Sequence, residues 1–203
     1  MSEHDRFAVT PLTIAGALAI TPKVIRDDRG FFVRTFDADA FAEFGLGLPL
    51  WLQENQSRST LGTLRGLHFR SDTTETKLVR CVRGAVFEAI VDLRPSSPSY
   101  LRVETLQLDD VECRQVVVPG GCAHGFQVLT DLVDVAYRHS ATYDPAAERA
   151  VRFDDVRFGI VWPNPAPLLS ENDRLAPSFE EVEPLLAAWF SETRTAAAPP
   201  ARG

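Results

Sequence analysis

Between residues 77 and 140 the chain is cut into short apolar segments, each closed by Gly, Pro or Asp, and this spacing constrains the fold more than any other feature. In "KLVRCVRGAVFEAIVDL" (77–93) the pattern breaks at Gly84. Beyond it Ala85, Phe87, Ala89, Val91 and Leu93 fall on one face and Glu88 and Asp92 on the other, the period of two that a strand imposes. A tight turn therefore joins two strands. Further strands are predicted at 101–108, 114–118, 124–129 and 132–140, after the break "PSSPS". Short strands at such intervals build a sandwich or a barrel. Upstream, residues 12–25 read as β segments interrupted by Gly16 and Pro22, followed by the turn "DDRG". Helices are predicted only at the margins. In "FDADAFAEFG" (36–45), Phe36, Ala40, Phe41 and Phe44 have helical spacing, with Asp37 as N-cap and Gly45 as the stop, and "SFEEVEPLLAAWF" (178–190) forms a terminal helix. One domain over residues 1–190 is expected, with 191–203 as a frayed tail.

A chain of 203 residues, 45% of them hydrophobic, can bury one substantial core. Its net charge of -7 and pI near 5.1 argue against a nucleic-acid footprint, which needs an excess of Lys and Arg. An anionic ligand must then be held by a local basic cluster. Cys81, Cys113 and Cys122 are odd in number, lack zinc-type spacing and sit in apolar segments, so they read as free thiols of an intracellular protein. The start "MSEHDRFAVT" has neither the basic start nor the apolar core of a signal peptide, and no run reaches the length of a membrane span. A soluble, cytoplasmic protein is expected.

The segment "GTLRGLHFR" (62–70) puts two cations and a titratable ring into an apolar strand. His68 has Arg65, Arg70 and Lys77 near it in sequence, and His124 follows the turn-forming "VPGG". A half-buried, hydrogen-bonded histidine is the plain reading of either one alone. Metal binding by two strand histidines is not supported: such sites need three or four ligands, position 70 is Arg where a His-x-His pair would continue, and Glu75 lies beside Lys77, which opposes a cation. Tyr137 shares a face with Val133 and Val135 and by itself reads as a core residue.

Taken together, "DDRGFF" (27–32), "QENQS" (53–57), "LRGLHF" (64–69), residues 77–100, "VPGGCAHGFQVL" (118–129), Tyr137, "YDPAAE" (143–148) and "GIVWP…PLLSENDRLAP" (159–177) resemble, in order, the dTDP-4-dehydrorhamnose 3,5-epimerase family. The resemblance covers about residues 10–177. It implies an all-β double-stranded β-helix (jelly-roll, cupin-like) with short flanking helices, a homodimer with strand exchange, and a nucleotide-linked 4-keto-6-deoxyhexose as substrate, dTDP-linked in the first instance. The hydrogens on C3 and C5 of such a sugar are α to the ketone. Inverting either centre needs a base on one face, an acid on the other and a cation or donor at the developing enolate oxygen, with no cofactor and no metal. By resemblance His68 is the base, Asp173 its partner, Lys77 the cation at the enolate and Tyr137 the proton donor. Arg65 and Arg29 match diphosphate-holding positions, Arg29 being contributed across the dimer. Gln53, Glu54, Asn55, His124 and Glu148 match substrate-contact positions. A sugar-nucleotide 3,4-ketoisomerase and a non-catalytic nucleotide-sugar-binding cupin are the alternatives. Tyr137 and Asp173 favour epimerisation over the first, and a base facing an acid has no use in the second.

The chain departs from the family pattern at Arg34, where Glu is usual, at Thr142, where Tyr is common, and at Asn172, where Lys is usual. In the family these positions lie toward the nucleotide end of the cleft. Arg34 and Asn172 are accordingly expected to touch substrate, and the chain is expected to bind dTDP less selectively than the rhamnose enzymes or to prefer another nucleotide.

Overall fold

The computed structural model describes residues 6–43 and 51–191. Two antiparallel sheets face each other. The first has six strands in the order β1 (Phe7–Pro11), β2 (Leu18–Pro22), β10 (Gln115–Val118), β7 (Lys77–Arg83), β12 (Leu132–His139) and β5 (Gln53–Thr60). The second has five, in the order β13 (Glu148–Ala150), β6 (Leu64–Arg70), β11 (Cys122–Val128), β8 (Ala85–Asp92) and β9 (Val103–Asp109). From β5 to β8 and again from β9 to β13 successive strands alternate between the sheets, as in a jelly roll, while β1–β2 and β8–β9 are antiparallel neighbours within one sheet. The break at Gly84 is one such crossing, since β7 and β8 belong to different sheets. A separate hairpin, β3 (Val24–Asp27) and β4 (Gly30–Val33), pairs with neither sheet.

Three apolar clusters hold the layers. Between the sheets, Val79, Val116, Val133 and Val135 meet Val86, Ile90, Leu108 and Phe126. The opposite face of the five-stranded sheet, with Leu67, Phe69, Ala89, Val91 and Ala123, is covered by Phe158, Trp162 and helix α3 (Phe179–Ser191) through Phe179, Val182 and Leu186. Each Val, Leu, Ile or Phe side chain so removed from water contributes roughly 1.5–3 kcal/mol. Covered on both sides, β8 and β11 have no solvent face, so Glu88 and Asp92, on the face opposite Phe87 and Val91, are fully buried. Asp92 is compensated by Arg94, Ser97 and Ser99, all within 2.8 Å. Outside the six-stranded sheet, Phe7, Ile20, Leu78 and Val117 pack under Ala40 and Phe41 of helix α1 (Ala38–Glu43), whose N-cap is Asp37, accepting from the Ala40 amide. Phe44 and Gly45 lie outside the described residues, as do residues 192–203 of the expected tail.

Some elements differ from expectation. Residues 12–17 form a tight turn closed by hydrogen bonds from Leu12 N to Ala17 O and from Ala17 N to Ile14 O, and the strand before it, β1, was not anticipated. Strand β5, "QENQSRST", has no apolar residue to mark it. Helix α2 (Glu171–Arg174) is a single turn capped by Ser170. No helix among the described residues is long and apolar enough to cross a membrane.

Candidate active site

A cleft of about 330 Å³ opens between the sheets, and its lining comes from both. The five-stranded sheet supplies Arg65, His68, His124 and Glu148; the six-stranded sheet supplies Gln53, Asn55, Ser57, Lys77, Tyr137 and His139. The polarity of β5 is thereby explained, because Gln53, Asn55 and Ser57 share the face that lines the cleft.

Arg65 and His68 are three residues apart, the wrong parity for one face of a regular strand. Their register resolves this. His68 lies opposite His124 and Arg65 opposite Phe126, so three steps along β6 match two along β11, which is a β-bulge. Gly66 makes the bulge possible: it has φ +130°, and a Cβ there would lie 2.6 Å from the Cα of Gly125 and 2.9 Å from the His124 carbonyl oxygen. Only glycines facing each other allow this approach. The bulge turns both Arg65 and His68 into the cleft.

His68 Nε2 is 2.6 Å from Asp173 Oδ1, across from β6 on α2. Asp173 Oδ2 accepts from the Ser170 hydroxyl at 2.7 Å. Burial pushes the Asp173 pKa up, but the hydrogen bonds from His68 and Ser170 outweigh it and the net shift is downward. An ionised Asp173 fixes the proton of His68 on Nε2, leaving the Nδ1 lone pair free. Opposite, the Tyr137 hydroxyl is 2.7 Å from Ser57 Oγ, and burial raises the phenol pKa, so the group stays protonated. Lys77 is buried, with Nζ 3.3 Å from Glu75 Oε2. Arg65 donates from Nε to Ser59 Oγ at 3.0 Å, which leaves the two terminal nitrogens of its guanidinium uncommitted to that bond.

His124 is held from behind by Glu88, with Nδ1 2.8 Å from Oε1. Burial pushes Glu88 well above the carboxylate range and His124 well below the imidazole range, and Glu88 Oε2 has no hydrogen-bond partner among the described residues. Both shifts favour an uncharged pair, in which the carboxyl hydrogen is donated to Nδ1 and Nε2–H is left as a donor. The sequence pattern shows Glu88 only as an acid on one strand face. That the face is covered by a second sheet is what makes it a partner for His124. Glu75 and His139, bonded at 3.0 Å, also join the cleft. The signal for His139 is its position two residues after Tyr137 on the same strand face.

Of the residues singled out in the sequence, Gln53, Asn55, Arg65, His68, Lys77, His124, Tyr137 and Glu148 line the cleft, and Asp173 stands behind His68. Glu54 does not join them: it extends from the opposite face of β5 and pairs with Arg138 at 2.5 Å. Arg29, on the exposed turn of the β3–β4 hairpin, pairs with Asp27 of its own chain, and Arg34 pairs with Asp37. Asn172 is exposed on α2, beside Asp173. Thr142 accepts a hydrogen bond from Arg70 through its carbonyl, while its neighbour Tyr143 is exposed on the cleft rim. Among the described residues no group of three or more His, Cys, Asp or Glu side chains is arranged to hold a metal ion.

Comparison with known proteins gives this cleft a context. Residues 11–181 match the family model described as dTDP-4-dehydrorhamnose 3,5-epimerase. The dTDP-4-dehydrorhamnose 3-epimerase of Streptomyces niveus is 45% identical over 166 residues, 81% of this chain and 80% of that protein. The dTDP-4-dehydrorhamnose 3,5-epimerase of Escherichia coli is 40% identical over 172 residues, covering 83% and 92%. Among solved structures, NovW, a 4-keto-6-deoxy sugar epimerase from the novobiocin gene cluster of Streptomyces spheroides, superimposes with a TM-score of 0.85 at 41% identity, covering 91% of this chain and 92% of that one. ChmJ, a 3'-monoepimerase from Streptomyces bikiniensis in complex with dTDP-quinovose, does so with a TM-score of 0.80 at 35% identity, covering 86% and 89%. Fold, matched span and relatives agree: the chain belongs to the dTDP-4-dehydrorhamnose 3,5-epimerase family.

Proposed function

We propose that the protein is an isomerase that inverts C3, alone or together with C5, of a dTDP-linked 4-keto-6-deoxyhexose in deoxysugar biosynthesis. One observation carries the reading: a histidine locked to a carboxylate on one sheet and a protonated tyrosine on the other line the same cleft. His68 Nδ1 removes the proton α to the ketone, and the imidazolium that forms is stabilised by Asp173. Negative charge moves to the keto oxygen, where the Lys77 ammonium and the His124 Nε2–H are the available donors. Tyr137 returns a proton from the opposite face, and Ser57 holds its hydroxyl in place. Solvent resets both groups, so one proton leaves carbon and one arrives, with no change in oxidation state.

Arg65 receives the diphosphate, and Gln53, Asn55 and Glu148 contact the ligand. The working unit is a homodimer formed by exchange of the β3–β4 hairpin. Ile25, Phe31 and Phe32 on this hairpin are each at least half exposed, too much apolar surface for a two-stranded ribbon that pairs with neither sheet. Exchange brings Arg29 to the partner's diphosphate.

The test is incubation with dTDP-4-keto-6-deoxyglucose in deuterated water, followed by NMR. Deuterium at C3, with or without C5, together with the inverted product, is the expected result. Migration of the carbonyl from C4 to C3 would instead make the protein a ketoisomerase, and unchanged substrate would leave a binding cupin.

A further inference from the structure

Five groups at one end of the cleft form a hydrogen-bond chain whose direction is fixed at its start. The backbone N–H of Tyr143, which can only donate, meets Gln53 Oε1 at 3.1 Å. Gln53 must therefore present its amide nitrogen to Asn55 Oδ1, also at 3.1 Å. Asn55 then presents its own amide nitrogen to His139 Nε2 at 3.3 Å, so that ring nitrogen accepts. The His139 proton sits on Nδ1 and is donated to Glu75 Oε1 at 3.0 Å, while Glu75 Oε2 holds Lys77. Burial pushes the Glu75 pKa up, but the bond from His139 and the charge of Lys77 bring it below the usual carboxylate range, so the acceptor at the end of the chain is ionised.

We propose that Glu75 and His139 are positioning residues that couple the cleft rim at Tyr143 to Lys77 at its base, so that protonation of His139 weakens binding of the nucleotide sugar. The inference rests on the cleft being the nucleotide-sugar site. Protonating His139 turns Nε2 into a donor facing the donor Asn55 Nδ2. Relief requires the Asn55 amide to turn over. Gln53 must then turn as well, and Tyr143 N–H is left without its acceptor. Tyr143 is two-thirds exposed, and this bond is its segment's tie to β5. The titratable groups facing His139 are Glu75 and Lys77 from the segment that enters β7, Tyr137 on its own strand, and His68, His124 and Glu148 across the cleft. Comparison of two proteins that differ only at position 139 cancels the groups not bonded to it, and glutamine at that position keeps an amide donor for Glu75, the one of these groups bonded to His139 directly.

The experiment is calorimetric titration of dTDP-glucose, whose doubly esterified diphosphate does not titrate near neutrality, into the wild type and His139→Gln between about pH 5 and 8. Loss of the rim bond predicts a wild-type affinity that falls about five- to tenfold toward the acid end, against a change of about twofold or less in the variant. Parallel profiles in the two proteins overturn the coupling alone. No binding by either protein at any pH overturns the nucleotide-sugar reading and the coupling with it. Nitrogen-15 NMR of labelled histidine gives a second readout on the unmodified protein: neutral His139 protonated at Nδ1 is required, and protonation at Nε2 contradicts the chain.

Discussion

At the scale of single residues, the state of His68 is decided by its neighbour. Nε2–H is donated to an ionised Asp173, and that alone leaves Nδ1 able to take a proton. Asp173→Asn keeps the volume but lets an amide N–H face Nε2, which moves the ring proton to Nδ1 and removes the base. A loss of about a hundredfold or more in kcat is expected, with KM changed far less. Stability responds in its own way. The folded-state pKa of Asp173 lies below its unfolded value, so its contribution is complete above the ordinary carboxylate range and is lost as pH falls through the depressed folded value. Thermal melts across that acid window should show the wild type losing Tm more steeply than the variant; equal slopes would mean that Asp173 gains nothing from His68 and Ser170.

At the scale of elements, the bulge in β6 is the device that makes the site. Gly66→Ala would force a Cβ against Gly125 and hold a non-glycine residue at φ +130°, so the strand must give up either its pairing with β11 or the placement of His68. Destabilisation of about 2 kcal/mol or more is expected by denaturant titration, together with loss of activity. A variant with native stability and activity would show that the bulge is dispensable. Sequence pattern made the strands from 77 to 140 legible because alternation and Gly or Pro punctuation act locally. It did not reveal β5, whose polar residues are there to line the cleft. Nor could it place Arg65 beside His68, because a period of two puts them on opposite faces until a long-range contact between Gly66 and Gly125 is known. His68, Asp173, Lys77 and Tyr137 were readable only as residue types in familiar strings. Glu88 and His139 were not, since each owes its role to a partner on another strand or in a distant loop.

At the scale of the whole molecule, two arrangements matter: the hairpin that pairs with neither sheet, and the two sheets that face one cleft. If the hairpin is exchanged, Arg29→Ala and His68→Ala proteins, each impaired alone, should regain activity when mixed and allowed to exchange subunits, because a mixed dimer contains one complete site. Activity of the mixture no greater than the sum of its parts would place Arg29 in its own chain's site or in none. The central claim is that base and acid attack one sugar from opposite sheets, and the Tyr137→Phe protein tests it most directly. Deuterium incorporation and epimer formation are followed together by NMR on dTDP-4-keto-6-deoxyglucose in deuterated water. Continued deuterium exchange through His68 with little inverted product is the predicted result, and an undiminished yield of epimer would contradict it.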